Sequence, residues 1–168
     1  LNFLGGDMSG PFKGVRVLEL TSTVSGPFAG MMLADQGAEV IKIEPPGIGD
    51  LARFMGTIKD GMGAMFSTLN RNKQCICLDF KNEEDLDVLK QLVATADVLI
   101  ENYRPGIVHK LGIDYESLIK IKPDLIYCSI SGYGQSGPYK EKKVYDPLIQ
   151  GTVGIPNAQN SKSPELLR

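Results

Sequence analysis

Val15-Arg16-Val17-Leu18-Glu19-Leu20 and Glu39-Val40-Ile41-Lys42-Ile43-Glu44 bracket the stretch that decides the fold. Both segments are rich in branched apolar residues, the composition of a sheet strand. Between them come a polar turn, residues 21–26, and a helical stretch, residues 27–36. Ser25 is placed to cap that helix, Pro27 suits its first turn, and Gly37 stops it. Strand, helix and strand within about 30 residues make a βαβ unit, which predicts parallel strands joined by a right-handed crossover.

The same alternation continues outward. Pro45-Pro46-Gly47 ends the second strand, and a Gly- and Met-rich loop runs to Gly63. A short helix is expected at 64–69 and a third strand at 75–80. Residues 83–96 form an amphipathic helix with Leu86, Leu89, Leu92, Val93 and Ala96 on one face. A fourth strand at 97–101, short helices at 105–111 and 115–121, and a fifth strand at 125–131 follow. Beyond Gly132 the pattern gives way to a polar loop, a helix at 146–153 and a loop from 156 to 168. The prediction is an α/β fold: a doubly wound, mainly parallel, Rossmann-like sheet of five or more strands with helices on both faces. Residues 1–13 read as an N-terminal extension, 14–155 as the Rossmann-like domain and 156–168 as a closing loop.

Composition narrows the partners. The formal charge of −2 gives no pull toward nucleic acid or an anionic membrane. No apolar stretch is long enough to span a bilayer. The first ten residues lack the charged and apolar regions of a secretory leader. Three cysteines without a Cys/His cluster suit neither a disulfide framework nor a metal site. Cys75 and Cys77 alternate on one strand and read as buried or half-buried thiols. The expected setting is reducing and cytoplasmic, or the mitochondrial matrix or peroxisome of a eukaryote.

Gly132-Tyr133-Gly134-Gln135-Ser136-Gly137 is a literal Gly-x-Gly-x-x-Gly after an expected strand. Pro138 and the charged run Lys140-Glu141-Lys142-Lys143 follow at once, with no helix to pack on the sheet. A dinucleotide fingerprint needs that helix, so the segment reads as a turn-forming glycine loop. His109, the single histidine, reads as an exposed helix residue with no acid beside it.

Six segments, in order, carry a resemblance. They are residues 14–20 followed by Ser25-Gly26-Pro27-Phe28 and residues 33–44; Pro45-Pro46-Gly47-Ile48-Gly49-Asp50 with Arg53; Asn70-Arg71-Asn72-Lys73 leading to Leu78-Asp79; Asp97-Val98-Leu99-Ile100-Glu101-Asn102-Tyr103-Arg104-Pro105-Gly106; Ile130-Ser131-Gly132-Tyr133-Gly134-Gln135-Ser136-Gly137-Pro138; and Tyr145-Asp146. Together they resemble the family III CoA-transferases (the CaiB/BaiF type), a group that also holds acyl-CoA racemases. The resemblance covers nearly the whole chain and makes it the N-terminal part of the family's large domain, with residues 14–155 as a CoA-binding region.

The resemblance implies coenzyme A or its acyl thioester as substrate, a small carboxylic acid as second substrate, no metal, and an interlocked homodimer for the whole protein. It places CoA contacts at Val24, Ser25, Leu78, Asn102, Tyr103, Ile107, Lys110, Lys143 and Tyr145. Arg104 is a further candidate beside them. The physics agrees, because a helix N-terminus at the C-terminal edge of an open sheet suits a phosphorylated ligand. Tyr103 could stack on adenine or simply pack; Arg104 and Lys110 could meet phosphate or stand as solvated charge. Some family members carry a basic residue where this chain has Pro45.

The implied reaction is double displacement on an aspartate, expected just beyond Leu167-Arg168. No catalytic residue is therefore assigned within the chain. Asp146 is read as an acid that orients its neighbours, or as an N-cap for the helix beginning at Pro147. A racemase would carry histidine where Tyr145 stands, and a phenol with a pKa of about 10 is a poor base at neutral pH. Transfer is thus the favoured activity of the whole protein. The alternatives are an inactive CoA-binding fragment and a racemase of the same superfamily.

Overall fold

A computed structural model describes residues 10–158. The chain divides into two compact units, the first ending at Ile130 and the second beginning at Ser131. The break falls where the strand–helix alternation of the sequence gives out. Most of the expected N-terminal extension and closing loop, residues 1–9 and 159–168, lies outside the described residues.

The first unit holds β1 (Arg16–Leu20), α1 (Ser25–Asp35), β2 (Glu39–Glu44), a 3-10 turn (Leu51–Phe54), β3 (Ile58–Lys59), β4 (Met62–Gly63), α2 (Ala64–Leu69), β5 (Lys73–Cys77), α3 (Glu83–Val93), β6 (Val98–Glu101), α4 (Ile107–Lys110), α5 (Tyr115–Leu118) and β7 (Ile126–Ser129). Five strands form one sheet in the order β5-β2-β1-β6-β7. Every neighbouring pair in it is parallel. The chain runs from β1 to one edge, returns, and continues from β6 to the other edge. The order therefore reverses between β1 and β6, where an open α/β sheet leaves a crevice at the C-terminal ends of its strands.

Strand alternation sorts the core onto two faces. Leu18, Leu20, Ile41, Ile43 and Leu99 meet Leu89 and Val93 of α3 and Leu118 of α5. Val17, Val40 and Ile100 meet Ala34 of α1. Burying each such side chain contributes about 1.5–3 kcal/mol. Helices thus cover both faces, as the near-continuous apolar strands require.

The α1 face also buries charge. Glu19 and Lys42 are fully buried, Lys42 being the largest such side chain. Room for them comes from α1 itself. A Cβ on Gly30 would lie 2.0 Å from Glu19 Oε2, and one on Gly26 would lie 2.3 Å from the Thr21 side chain.

Several local expectations are corrected. The third strand of the sheet spans Lys73–Cys77 rather than 75–80, because Lys73 is drawn inward by a buried carboxylate. Cys75 and Cys77 are both exposed as residues, although the thiol of Cys75 itself is partly desolvated. They lie on the edge strand, whereas α1 sits mainly over β1 and β2. The loop after Pro46 contains an antiparallel hairpin, β3 with β4. Its turn is Asp60-Gly61, with φ of 51° and 78°, the left-handed pair that two-residue hairpins favour.

The second unit holds α6 (Asp146–Thr152) and α7 (Ile155–Ala158). The sequence expects loop from residue 156. Gly154, with φ of 80°, ends α6, and Pro156 is tolerated in the first turn of a new helix. Residues 132–142 run through bends and turns without entering a helix. Tyr133 and Tyr139 meet edge to face at 5.6 Å, with Lys142 Nζ 3.7 Å from the centre of the Tyr139 ring.

The packing at Gly30 sets a test. Alanine is favoured over glycine in a helix by about 1 kcal/mol on propensity alone. Here the added methyl meets Glu19, so Gly30→Ala is expected to lower the unfolding free energy by about 1–3 kcal/mol. Urea unfolding measures it; a gain in stability would contradict the contact.

Candidate functional site

The loops after β1, β2 and β6 meet at the point where strand order reverses. Asn102, just past β6, joins the first loop through a reciprocal pair of bonds. Ser22 N–H donates to Asn102 Oδ1 at 3.0 Å, and Asn102 Nδ2 donates to the Ser22 carbonyl at 2.9 Å. An amide side chain is suited to this, since it offers a donor and an acceptor side by side.

Asp50, from the loop after β2, grips the same segment from another direction. Its Oδ1 accepts from Ser22 Oγ at 3.0 Å, Thr23 N at 2.9 Å and Ala52 N at 2.9 Å. Thr23 has φ of 76°. Left-handed backbone costs a branched residue about 1–3 kcal/mol, so it persists only where its surroundings hold it.

Beneath these loops runs a buried chain of alternating charge. Lys73 Nζ lies 2.7 Å from Glu19 Oε2, Lys42 Nζ lies 3.0 Å from Glu19 Oε1, and Lys42 Nζ lies 2.9 Å from Asp50 Oδ2. All four side chains are fully buried. Each ammonium has three partners. Lys42 also donates to the Thr21 carbonyl at 2.8 Å, and Lys73 to the Pro27 carbonyl at 2.7 Å and Asn70 Oδ1 at 2.9 Å. Glu19 Oε2 and Asp50 Oδ2 lack a well-aimed hydrogen bond, but each faces an ammonium at ion-pair distance. Two positive and two negative groups cancel, which is the condition for burying charge.

Burial alone would raise the Asp50 carboxyl, but Lys42 and the Ala52 and Thr23 amides outweigh it and hold it below the usual range. Glu44 follows the same pattern: burial is outweighed by Arg53 and the Asp50 amide. Arg53 donates to both Glu44 oxygens, at 2.8 and 2.6 Å, while lying 3.7 Å from the Phe66 ring centre. Although Cys75 is exposed as a residue, burial of its thiol and the adjacent Glu44 carboxylate push it up to about 11. Across the crevice, burial raises Glu101. Its Oε2 accepts from Tyr103 N at 2.8 Å, and its Oε1 accepts from Ser129 Oγ. Glu101 thereby fixes the backbone that follows Asn102.

The residues singled out from sequence fall into groups. Val24 and Ser25 are exposed at the start of α1. Ser25 is not the cap; it is the first helical residue, after Val24, and no side chain caps that helix. Leu78 is 8% exposed and belongs to the core. Asn102 spends its amide on Ser22, and Tyr103 packs against the core rather than standing free. Arg104 and Lys110 are exposed, and Ile107 is half-buried at the start of α4.

Lys143, Tyr145 and Asp146 belong to the second unit. Lys143 is exposed, and Tyr145 is 71% exposed. Asp146 does not cap its helix. It is the first residue of α6, and its carboxylate accepts from Gln150 Nε2. His109 is exposed as expected, but it has an acid beside it: Nδ1 lies 3.3 Å from Asp114 Oδ2.

Sequence reasoning passed over Glu19, Lys42 and Lys73. The available signal was a charged residue inside each of the first two expected strands, Glu19 and Lys42; Lys73 lay outside the third strand as expected at 75–80. Among the described residues no group of His, Cys, Asp and Glu could hold a metal ion, and no helix is long and apolar enough to cross a membrane.

Comparison with known proteins gives consistent matches. The model of CoA-transferase family III matches residues 12–166. Acetyl-CoA:oxalate CoA-transferase of Acetobacter aceti is 47% identical over 146 residues, 87% of this chain and 38% of that protein. Succinyl-CoA:glutarate CoA-transferase of Mus musculus is 43% identical over 150 residues, 89% of this chain and 34% of that protein. The crystal structure of a CAIB/BAIF family protein from Brucella suis superposes with a TM-score of 0.88 at 43% identity, covering 95% of this chain and 44% of that one. The chain therefore spans between a third and two-fifths of the length of these curated relatives.

Two outcomes follow from the charge chain. Removing one member of a buried ion pair leaves its partner uncompensated, at a cost of about 3–5 kcal/mol. Glu19→Gln, facing two ammonium groups, is expected to lose at least that much by urea unfolding; a loss below about 1 kcal/mol would mean the chain is not buried as described. The second outcome concerns pH. Asp50 and Glu44 have folded pKa values below their unfolded ones, so their stabilisation is present above about pH 4 and is lost as pH falls through the folded values. Unfolding free energy should fall from about pH 5 toward pH 2, with a shallower slope in Glu44→Gln.

Proposed function

From the premise that this chain belongs to CoA-transferase family III, we propose that it is the CoA-binding N-terminal part of an enzyme that moves CoA between carboxylic acids. The observation that carries this reading is the joining of the β1 and β6 loops at the strand-order reversal by Asn102 and Ser22. That tie sets the exposed start of α1 beside the loop bearing Tyr103 and Arg104. The positive dipole end of α1, where Val24 and Ser25 are exposed, suits the pyrophosphate of CoA. Arg104 and Lys110 are exposed where a guanidinium and an ammonium can pair with phosphate oxygens. The family resemblance adds Lys143 and Tyr145 as further expected CoA contacts. Asn102 acts by shaping the β1 loop, and Leu78 and Tyr103 by backing the site from the core.

The chemistry we assign needs a carboxylate nucleophile beyond Arg168. Its oxygen attacks the thioester carbonyl carbon, the C–S bond breaks, and CoA leaves as thiolate. The product is a mixed anhydride. Thiolate then attacks the aspartyl carbonyl, releasing the donor acid and forming an aspartyl thioester. The acceptor carboxylate displaces thiolate to give a second anhydride. Thiolate attacks its acyl carbon, producing the new acyl-CoA and restoring the aspartate. Asp146 is not the nucleophile in this scheme; it orients Gln150 and the start of α6.

We also assign the whole protein to a homodimer in a reducing, cytoplasm-like compartment. Exposed Ile48, Leu51, Phe54 and Ile58 support an interface for that assembly.

The test compares the 168-residue chain with a protein of its relatives' length. The longer protein should transfer CoA from acetyl-CoA or succinyl-CoA to oxalate or glutarate, and hydroxylamine should trap its aspartyl adduct. The shorter chain should lose at least about 10⁴-fold of that rate, as covalent enzymes do without their nucleophile, and should bind CoA only weakly by calorimetry. Turnover by the short chain that Asp146→Asn abolishes would move the nucleophile to Asp146. Racemisation of a 2-methylacyl-CoA by the long protein would overturn transfer.

A further inference from the structure

Thr23 is a branched residue in the left-handed region, with φ of 76°, in the loop that presents Val24 and Ser25. A chain left to its own preferences would not hold it there. The bond that fixes Thr23 comes from outside the loop: its N–H donates to Asp50 Oδ1, 27 residues away in sequence. Ser22 Oγ donates to the same oxygen. The other oxygen, Oδ2, faces Lys42. Both sides of the carboxylate are therefore in use as acceptors, one toward the loop and one toward the buried charge. An asparagine has only one acceptor oxygen. It can satisfy Lys42 or Thr23, and whichever it leaves faces an N–H₂ group instead.

We propose that Asp50 is a positioning residue for CoA binding, holding the loop from Ser22 to Val24 in the shape that presents the start of α1 to the ligand. The inference rests on the functional reading above. Asp50 touches no substrate in this role; it acts through the Thr23 backbone. It transmits the rigidity of the Lys73–Glu19–Lys42 charges to the loop, which Asn102 holds from the opposite side.

The test uses the protein at its relatives' length, with CoA as probe in calorimetry and acetyl-CoA with oxalate, or succinyl-CoA with glutarate, in turnover. Asp50→Asn is expected to weaken CoA binding about tenfold or more, the scale of losing a hydrogen bond to a charged group. The KM for the thioester should rise in step, with kcat changed less than about threefold, because only binding is affected. Thr23→Gly in the Asp50→Asn background should recover most of the CoA affinity, measured against Thr23→Gly alone, since glycine adopts this φ without steric cost. A residue that merely stabilised the fold would show no such rescue. Should Asp50→Asn not fold, Lys42→Met/Asp50→Ala replaces it, leaving no unpaired buried ammonium; the same loss of CoA affinity is expected. Unaltered CoA affinity in a folded Asp50 variant, or no recovery on adding Thr23→Gly, overturns the inference. Absence of CoA binding and turnover in the unaltered protein instead overturns the functional reading.

Discussion

Four buried charges in a row, Lys73, Glu19, Lys42 and Asp50, set the conditions for the rest of the first unit. They tie β5 to β1, β1 to β2, and β2 to the loop that follows it. Ion pairs of this kind seldom add much stability beyond what an apolar core would give, because desolvation offsets their attraction. What they add here is placement. An apolar core tolerates small slips, but an ammonium with three acceptors at 2.7–2.9 Å does not. The network therefore locks the position of α1 through Pro27 and the shape of the β1 loop through Asp50.

The same constraint explains the composition of α1. The helix comes so close to β1 and its loop that Gly30, over the Glu19 carboxylate, and Gly26, over the Thr21 side chain, replace better helix formers on its inner face. The loss in helix propensity is recovered in the contacts below. At its start the helix lacks a side-chain cap; Val24 and Ser25 are exposed there, while Gly26 and Pro27 are buried. A cap would have filled the place that the functional reading gives to phosphate.

On the other side of the reversal point, Glu101 plays a smaller version of the part played by Asp50. It is a buried carboxylate that accepts a backbone N–H from the loop after its own strand. Two strand-end loops are thus shaped by buried acids and joined to each other by Asn102. Mobility at this edge would undo preorganisation, and the arrangement places the fixed groups in the core and the exposed ones, Val24, Arg104 and Lys110, at the surface.

The parallel sheet and its helices on both faces were legible in residues 15–44 and 97–131, because apolar runs and helical periodicity report burial directly; the family resemblance rested instead on short motifs spread from Gly14 to Asp146. Leu89 and Val93 fall on the helix face that the sequence marks as core. Asp60-Gly61 was an open hairpin signal in what read as plain loop. The exposure of Cys75 was not legible, since nothing in a strand's own residues says that it lies at the sheet edge. Nor was the role of Asp50, or the inward turn of Lys42 and Lys73. A lone lysine on a strand ordinarily signals solvent, and only a partner from another strand makes its burial affordable. Sequence alone determined the order of the main strands and the helices that cover them; tertiary structure decided which charges are interior, because the Coulomb attraction that offsets desolvation exists only between groups the fold brings together.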